Sequence, residues 1–263
     1  MKLEIYRSLW GMTGTLDENL TRIAEAGIYV GIEGFLDAIT IPVSEFKTQV
    51  QDRGLKLIMA GAAATKEEIE PLVTQLAEFA PVKIGLHSGR DSMTREEGCA
   101  FFEEALRVEQ QIGIPVSHET HRGRILFSPW DAFFYLRQFE SLKLVADYSH
   151  WVNVCERLPE DQAHVFELAN QRAFHIHARI GYEQGPQVPD PAAPEYAAQR
   201  AWHEQQWLQI KHSRQHAGDD VLTLVPEYGP PPYQHTLPFT NAPVAENWRV
   251  CLWAAEQARQ LLG

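Results

Sequence analysis

Short apolar runs alternate with longer helical patterns from one end of the chain to the other. That alternation constrains the fold more than any single motif. The apolar runs fall at residues 3–10, 28–33, 55–60, 82–87, 114–119, 142–147, 173–177 and 221–227. Helical spacing of apolar residues fills 16–26, 43–53, 66–79, 94–112, 128–139, 161–170, 196–216 and 245–262. Regular strand–helix alternation implies a parallel sheet. Successive strand ends lie 23 to 32 residues apart, except the last pair, at 50. Eight such units in 263 residues match a closed (β/α)8 TIM barrel, which uses about 250 residues in one domain. The phosphate-cradling fingerprints of open doubly wound sheets, GxGxxG and GxxxxGK[ST], are absent. The expected architecture is therefore α/β, a single domain over 1–263 with a parallel eight-stranded core. The long last interval holds a Pro- and Gly-rich stretch, 181–195, expected to act as a lid.

Local punctuation agrees. Gly27, Gly54 and Gly113 each follow a helical pattern, where a left-handed residue ends a helix. Ser128-Pro129 offers an N-cap followed by proline at the first helical position. Trp202 and Trp207 in the 196–216 helix serve either an interface or packing beneath the long loop.

The net charge is −12, and no run of Lys and Arg offsets it. Such a chain repels phosphate backbones and anionic membrane surfaces, so neither nucleic acid nor membrane is an expected partner. No apolar run approaches the roughly 18 residues of a membrane helix. Cys99, Cys155 and Cys251 are widely separated and form no CxxC pair. A reducing compartment, the cytoplasm, is expected.

In a (β/α)8 barrel the active site gathers at the C-terminal ends of the strands. Ionisable residues stand at those ends here: Glu33, His87, Glu119, Asp147, His177 and Glu227. Alternate residues of a strand share a face. His175 and His177 therefore point together, either as metal ligands or as satisfied core histidines. Glu119 shares a face with Ser117, Asp147 with Val145, and Glu227 with Val225 and Thr223. Leu144, Ala146, Ile176, Leu224 and Pro226 are left to face the helices. Converging carboxylates repel unless a cation joins them. Three carboxylates and one imidazole make a hard, oxygen-rich set that suits Mn²⁺ or Mg²⁺ and tolerates Co²⁺ or Zn²⁺.

This pattern resembles the xylose isomerase-like TIM-barrel superfamily, the sugar phosphate isomerases and epimerases together with inosose dehydratases and endonuclease IV. The likeness spans essentially the whole chain. It is carried by Glu119 in His118-Glu119-Thr120-His121, by Asp147 and His150 in Asp147-Tyr148-Ser149-His150, by His177 in His175-Ile176-His177, and by Glu227 in Pro226-Glu227-Tyr228-Gly229. The resemblance implies one divalent metal on Glu119, Asp147, His177 and Glu227, with the second histidine of the pair as ligand. It also implies proton transfer by Glu119 and Glu227 α to a sugar carbonyl, through a metal-stabilised enediolate, and places His150 beside metal or substrate. A dehydratase of a keto-polyol begins with the same proton removal. A barrel that binds a metal or sugar without turnover is the non-enzymatic alternative.

The chain departs from the pattern in places. Ketose 3-epimerases carry an arginine six residues after the strand 7 histidine. That position is Glu183 here, and the basic residue is Arg179. Endonuclease IV needs a histidine after strand 3, where this chain has Met59-Ala60-Gly61-Ala62. The stretch around Glu119 is one residue short of the zinc-protease motif HExxH and lies at a strand end, not on a helix. Expected substrate contacts are His150, Arg179 as donor to a carboxylate or phosphate, His121, His87, Glu33, and Trp10 as an apolar wall. His87 also reads as a loop residue, Glu33 as a strand anchor and Trp10 as barrel core.

Overall fold

A computed structural model describes all of residues 1–263. Eight parallel strands close into a barrel in sequence order: β1 (Lys2–Ser8), β2 (Gly31–Phe35), β3 (Lys56–Ala63), β4 (Lys83–Ser88), β5 (Val116–Glu119), β6 (Leu144–Ala146), β7 (Ala173–Ala178) and β8 (Val221–Pro226). Closure is made by β1 against β8, from Lys2 opposite Val221 to Ile5 opposite Leu224. Nine α-helices surround it: α1 (Leu16–Glu25), α2 (Val43–Gln51), α3 (Ile69–Ala77), α4 (Arg95–Ile112), α5 (Pro129–Gln138), α6 (Ser149–Cys155), α7 (Ala163–Arg172), α8 (Ala197–His216) and α9 (Asn247–Leu262). No helix is long and apolar enough to cross a membrane.

Helix ends form where the sequence supplies caps. Thr15 with Glu18 and Thr94 with Glu97 make reciprocal capping boxes at α1 and α4. Ser128 accepts from the Asp131 amide, with Pro129 first in α5. Gly113 ends α4 at φ 70°, a left-handed conformation that a Cβ disfavours.

Strand parity sorts the side chains as alternation requires. Tyr6, Ile58 and Val225 pack together within the barrel. Leu144, Ala146, Ile176 and Leu224 join the large outer core between strands and helices. Trp202 and Trp207 are part of that outer core, so they pack α8 onto the barrel and do not lie open as an interface.

Several boundaries move. β1 stops at Ser8, and Trp10 lies beyond it in the loop. β2 begins at Gly31 and continues past Glu33 to Phe35, while β3 runs on to Ala63, paired with Ser88 of β4. The helix read over 66–79 is a 3-10 turn, Lys66–Glu68, followed by α3. α6 has no counterpart in the sequence reading. It starts where the Ser149 amide and hydroxyl both bond Asp147 Oδ1. It stays because Trp151 is fully buried, stacked on Tyr148 and donating through Nε1 to the Leu126 carbonyl.

Candidate active site

The C-terminal ends of the strands surround a cavity of about 430 Å³, lined among others by Trp10, Glu33, His87, Glu119, His121, His177, Arg179 and Glu227. Ser8, Phe35, Asp37 and Tyr233 also line it, and the sequence reading had singled out none of these. Asp147 and His150 lie behind the wall, both fully buried.

Glu119, His177 and Glu227 line it, and Asp147 joins them from just behind the wall, so that groups carried by four consecutive strands come together. One ligand atom each from Glu119, Asp147, His177 and Glu227 falls within 4.8 Å of the other three. β5 ends on Glu119, β6 and β8 deliver Asp147 and Glu227 one residue past their ends, and β7 carries His177. Three buried atoms among them have no hydrogen-bond partner: Glu119 Oε1, His177 Nδ1 and Glu227 Oε2. They face one another, with Nδ1 3.0 Å from Glu227 Oε2 and 3.7 Å from Glu119 Oε1. Buried polar atoms are ordinarily paired. Two carboxylate oxygens and one imidazole nitrogen converging without hydrogen bonds fit the first coordination sphere of a divalent cation.

A second ring of groups fixes each of these. Glu33 Oε2 stands 3.1 Å from both His175 Nε2 and His177 Nε2. A carboxylate on one ring nitrogen sets the tautomer that leaves the other free as a ligand, so His177 presents Nδ1. His175 is held at its other nitrogen by Thr223 Oγ1, at 2.8 Å, and has no atom for the cavity. His87 Nε2 contacts Glu119 Oε2 at 2.7 Å, leaving Oε1 free. Arg179 donates to Asp147 Oδ2 through Nη2 at 2.7 Å and Nε at 3.1 Å, and lies 3.2 Å from Glu227 Oε1.

The charges follow from this packing. Burial disfavours a charged His177, but Glu33, Glu227 and Glu119 outweigh it and hold its pKa well above the usual value. Burial also opposes ionisation of Glu119, yet His87 and His177 keep it well below the carboxylate range. Arg179 and His177 do the same for Glu227. Asp147 goes the other way: burial, with repulsion from Glu227 and Glu119, outweighs Arg179 and raises it to about 6. Burial lowers His121 to about 4 and pushes His150 well below its ordinary value, so both are neutral at pH 7.

The expected substrate contacts divide. Trp10 and His121 line the cavity. Tyr233, from the loop after β8, meets Trp10 edge-on at 5.3 Å and places its hydroxyl 3.3 Å from His121 Nε2. Gly229 makes this wall: a Cβ there would lie 2.2 Å from the Trp10 ring. Glu33 reaches the cavity, but its engaged oxygen serves the two histidines. His87 serves Glu119. His150 lies behind His121, ring centroids 3.9 Å apart and tilted by 43°, and contacts Asp147 at 3.5 Å. Glu183 accepts from Gln199 on α8 and is not part of the cavity wall.

The lid expected at 181–195 is not what covers the mouth. No residue of that stretch lines the cavity. Gln187 is buried, donating to the Gly229 carbonyl and accepting from its amide. The stretch thus bonds to the β8–α9 loop, and that loop supplies a lining residue, Tyr233.

No protein-family model and no curated protein sequence matches this chain. Solved structures do. It is similar to a D-psicose 3-epimerase from Clostridium cellulolyticum H10, with 13% identity, a TM-score of 0.63, and coverage of 100% of this chain and 99% of the other. It is similar to a 3-keto-D-glucoside 4-epimerase from E. coli, with 13% identity, a TM-score of 0.62, and coverage of 98% and 100%. A probable 3-DHS dehydratase from Bacillus anthracis follows at 14% identity, a TM-score of 0.60, and coverage of 97% and 98%. Identities this low carry the fold alone, a closed eight-stranded parallel barrel ringed by helices.

Proposed function

We propose that the chain is a divalent-metal-dependent isomerase or epimerase of a small carbonyl sugar or polyol, with Glu119, Asp147, His177 and Glu227 holding the metal. The observation that carries this is the convergence of Glu119 Oε1, His177 Nδ1 and Glu227 Oε2, buried and without hydrogen bonds, at the floor of a sugar-sized cavity. The sugar epimerases among the similar structures favour the same reading.

A divalent cation bound there, Mn²⁺ or Mg²⁺ by the hardness of the donors, supplies Lewis acidity that polarises a substrate carbonyl. The chain's own residues do the rest. Glu119 and Glu227 enter from β5 and β8, two strands on either side of the β6–β7 pair that carries Asp147 and His177. Both are ionised at neutral pH and can accept a proton from the carbon α to the carbonyl. Their low pKa makes them weak bases, so proton removal depends on close positioning. His87 and Arg179 hold the outer oxygen of each, fixing the direction in which the inner oxygen points. The Trp10 and Tyr233 rings offer apolar faces to a sugar's C–H groups, and the His121–Tyr233 pair offers polar contacts to hydroxyls.

A dehydratase reading shares the first proton transfer and is favoured by the 3-DHS dehydratase among the similar structures. The test is elemental analysis after Mn²⁺ loading and dialysis, followed by incubation with a panel of ketoses in D₂O. The expected result is about one equivalent of metal, lost in Asp147→Asn and Glu227→Gln, and solvent deuterium at the α carbon. An unsaturated product selects the dehydratase. Absence of metal from the loaded wild type refutes both.

A further inference from the structure

Arg179 does more in this site than aim Glu227. It is fully buried, and its guanidinium forks onto two of the proposed ligands. Nη2 and Nε both bond Asp147 Oδ2, and Nη2 also lies 3.2 Å from Glu227 Oε1. The guanidinium packs 4.7 Å from the Tyr233 ring centroid and 5.7 Å from that of Trp10. It is therefore fixed on both sides and cannot leave toward solvent without moving the cavity wall.

Asp147 is the ligand most affected. Glu119 and Glu227 each keep one oxygen free of hydrogen bonds. Asp147 keeps none: Oδ1 accepts from the Ser149 amide and hydroxyl, and Oδ2 accepts from Arg179. A cation taking Asp147 must share Oδ2 with the guanidinium or displace it. Like charges a few ångströms apart in a buried site repel strongly, because little water screens them.

Resting on the metal reading above, we infer that Arg179 is a built-in competitor for the metal. It is a tethered cation that neutralises Asp147 and Glu227 and so weakens, and sets, the affinity of the site for a divalent ion. The same contacts let the chain hold buried carboxylates together without relying on the metal. Removing one charge from beside a divalent ion favours binding by more than tenfold, even at an effective dielectric of about 20. The carboxylates left unpaired after removal repel one another, which drives binding in the same direction.

The experiment is calorimetric titration of Mn²⁺ into the chelated and dialysed wild type, Arg179→Gln and Arg179→Lys. Melting temperatures are recorded with and without the ion. We expect Arg179→Gln to bind at least about tenfold more tightly than wild type. Arg179→Lys falls between, because an ammonium is a point charge that cannot fork across two carboxylates. Without metal the Gln variant melts below wild type, and Mn²⁺ raises its melting temperature by more than it raises the wild type's. A merely structural arginine would lower stability without tightening binding. If the Gln variant does not fold without metal, the Lys variant carries the test by the same comparison. Equal or weaker binding in the variants, with the wild type still binding, overturns this inference and leaves the metal site standing. Binding by none of the three chains overturns the metal reading and this inference with it.

Discussion

Glu33 does not touch the three convergent ligand atoms, yet replacing it should cost the site its metal. The perturbation is Glu33→Gln, which keeps the volume and removes the charge. In the native chain a single oxygen, Glu33 Oε2, receives two imidazoles, His175 Nε2 and His177 Nε2, each at 3.1 Å. A glutamine amide has one accepting oxygen and one donating nitrogen. If that oxygen is shared as before, the amide lacks the charge that made the bonds strong. If the amide turns, both imidazoles meet its N–H groups in place of an acceptor. Either way His177 loses its reason to keep the proton on Nε2 and to present Nδ1. Losing an outer partner of this kind costs about 10–100-fold in metal affinity, which is roughly 1.4–2.7 kcal/mol. The assay is calorimetric titration of Mn²⁺ into wild type and variant. Thr223→Val is the control: it removes the bonds of the hydroxyl to His175 Nδ1, Lys83 and the Phe174 carbonyl, leaves the Glu33–His177 contact in place, and should leave affinity unchanged. Wild-type affinity in Glu33→Gln would refute the assignment of Nδ1 as a ligand held from behind. Equal loss in Thr223→Val would show general loosening of the barrel interior.

Metal uptake should also release a proton. His177 has a pKa raised by its three carboxylate neighbours, so it carries a proton at neutral pH that a metal must displace. The sign is fixed: protons compete with the ion, so apparent affinity rises with pH until the raised pKa is passed. Titrations between about pH 6 and 8, in buffers of different ionisation enthalpy, measure the release, and affinity independent of pH and buffer would contradict it. Gly229→Ala should disturb the cavity wall, since its Cβ would lie 2.2 Å from the Trp10 ring. Overpacking of that kind costs about 1–3 kcal/mol. Chemical denaturation should show the loss, and adding Trp10→Ala should recover it; no loss in the single variant would mean that the ring is free to move.

The barrel was legible because it is written locally. Each strand is an apolar run, every helix but α6 shows a period, and several junctions carry a cap or glycine, so short windows suffice. The strand-end ionisable residues were legible for the same reason. What could not be read is whatever joins distant windows. Glu33 looked like a substrate contact, because nothing near it in sequence shows that His175 and His177 return to it across the barrel. Tyr233 sits among prolines with no periodicity, and only closure of the β8–α9 loop brings it to His121. The stretch 181–195 looked like a lid because it is long and rich in Pro and Gly. Its fate is decided by Gln187, whose amide satisfies both backbone groups of Gly229. α6 was missed because a seven-residue helix is too short to show a period; its first amide, Ser149, is taken by Asp147, just ahead of the N-cap Tyr148.

A division of labour within single carboxylates connects these pieces. Glu119 gives Oε2 to His87 and keeps Oε1; Glu227 gives Oε1 to Arg179 and keeps Oε2. His177 gives Nε2 to Glu33 and keeps Nδ1. In each case one atom is anchored so that the other is aimed. The anchors come partly from strands that contribute no ligand: His87 lies in β4 and Glu33 in β2. A quartet confined to β5–β8 therefore depends on the rest of the barrel for its direction, and a loop transplanted with its ligand alone would not rebuild it. Asp147 is the exception, with both oxygens already engaged and its pKa raised to about 6. On the proposed reading it is the ligand a metal would have to win from the protein, so Asp147 and Arg179, more than the three atoms that stand ready, would set the affinity of the site.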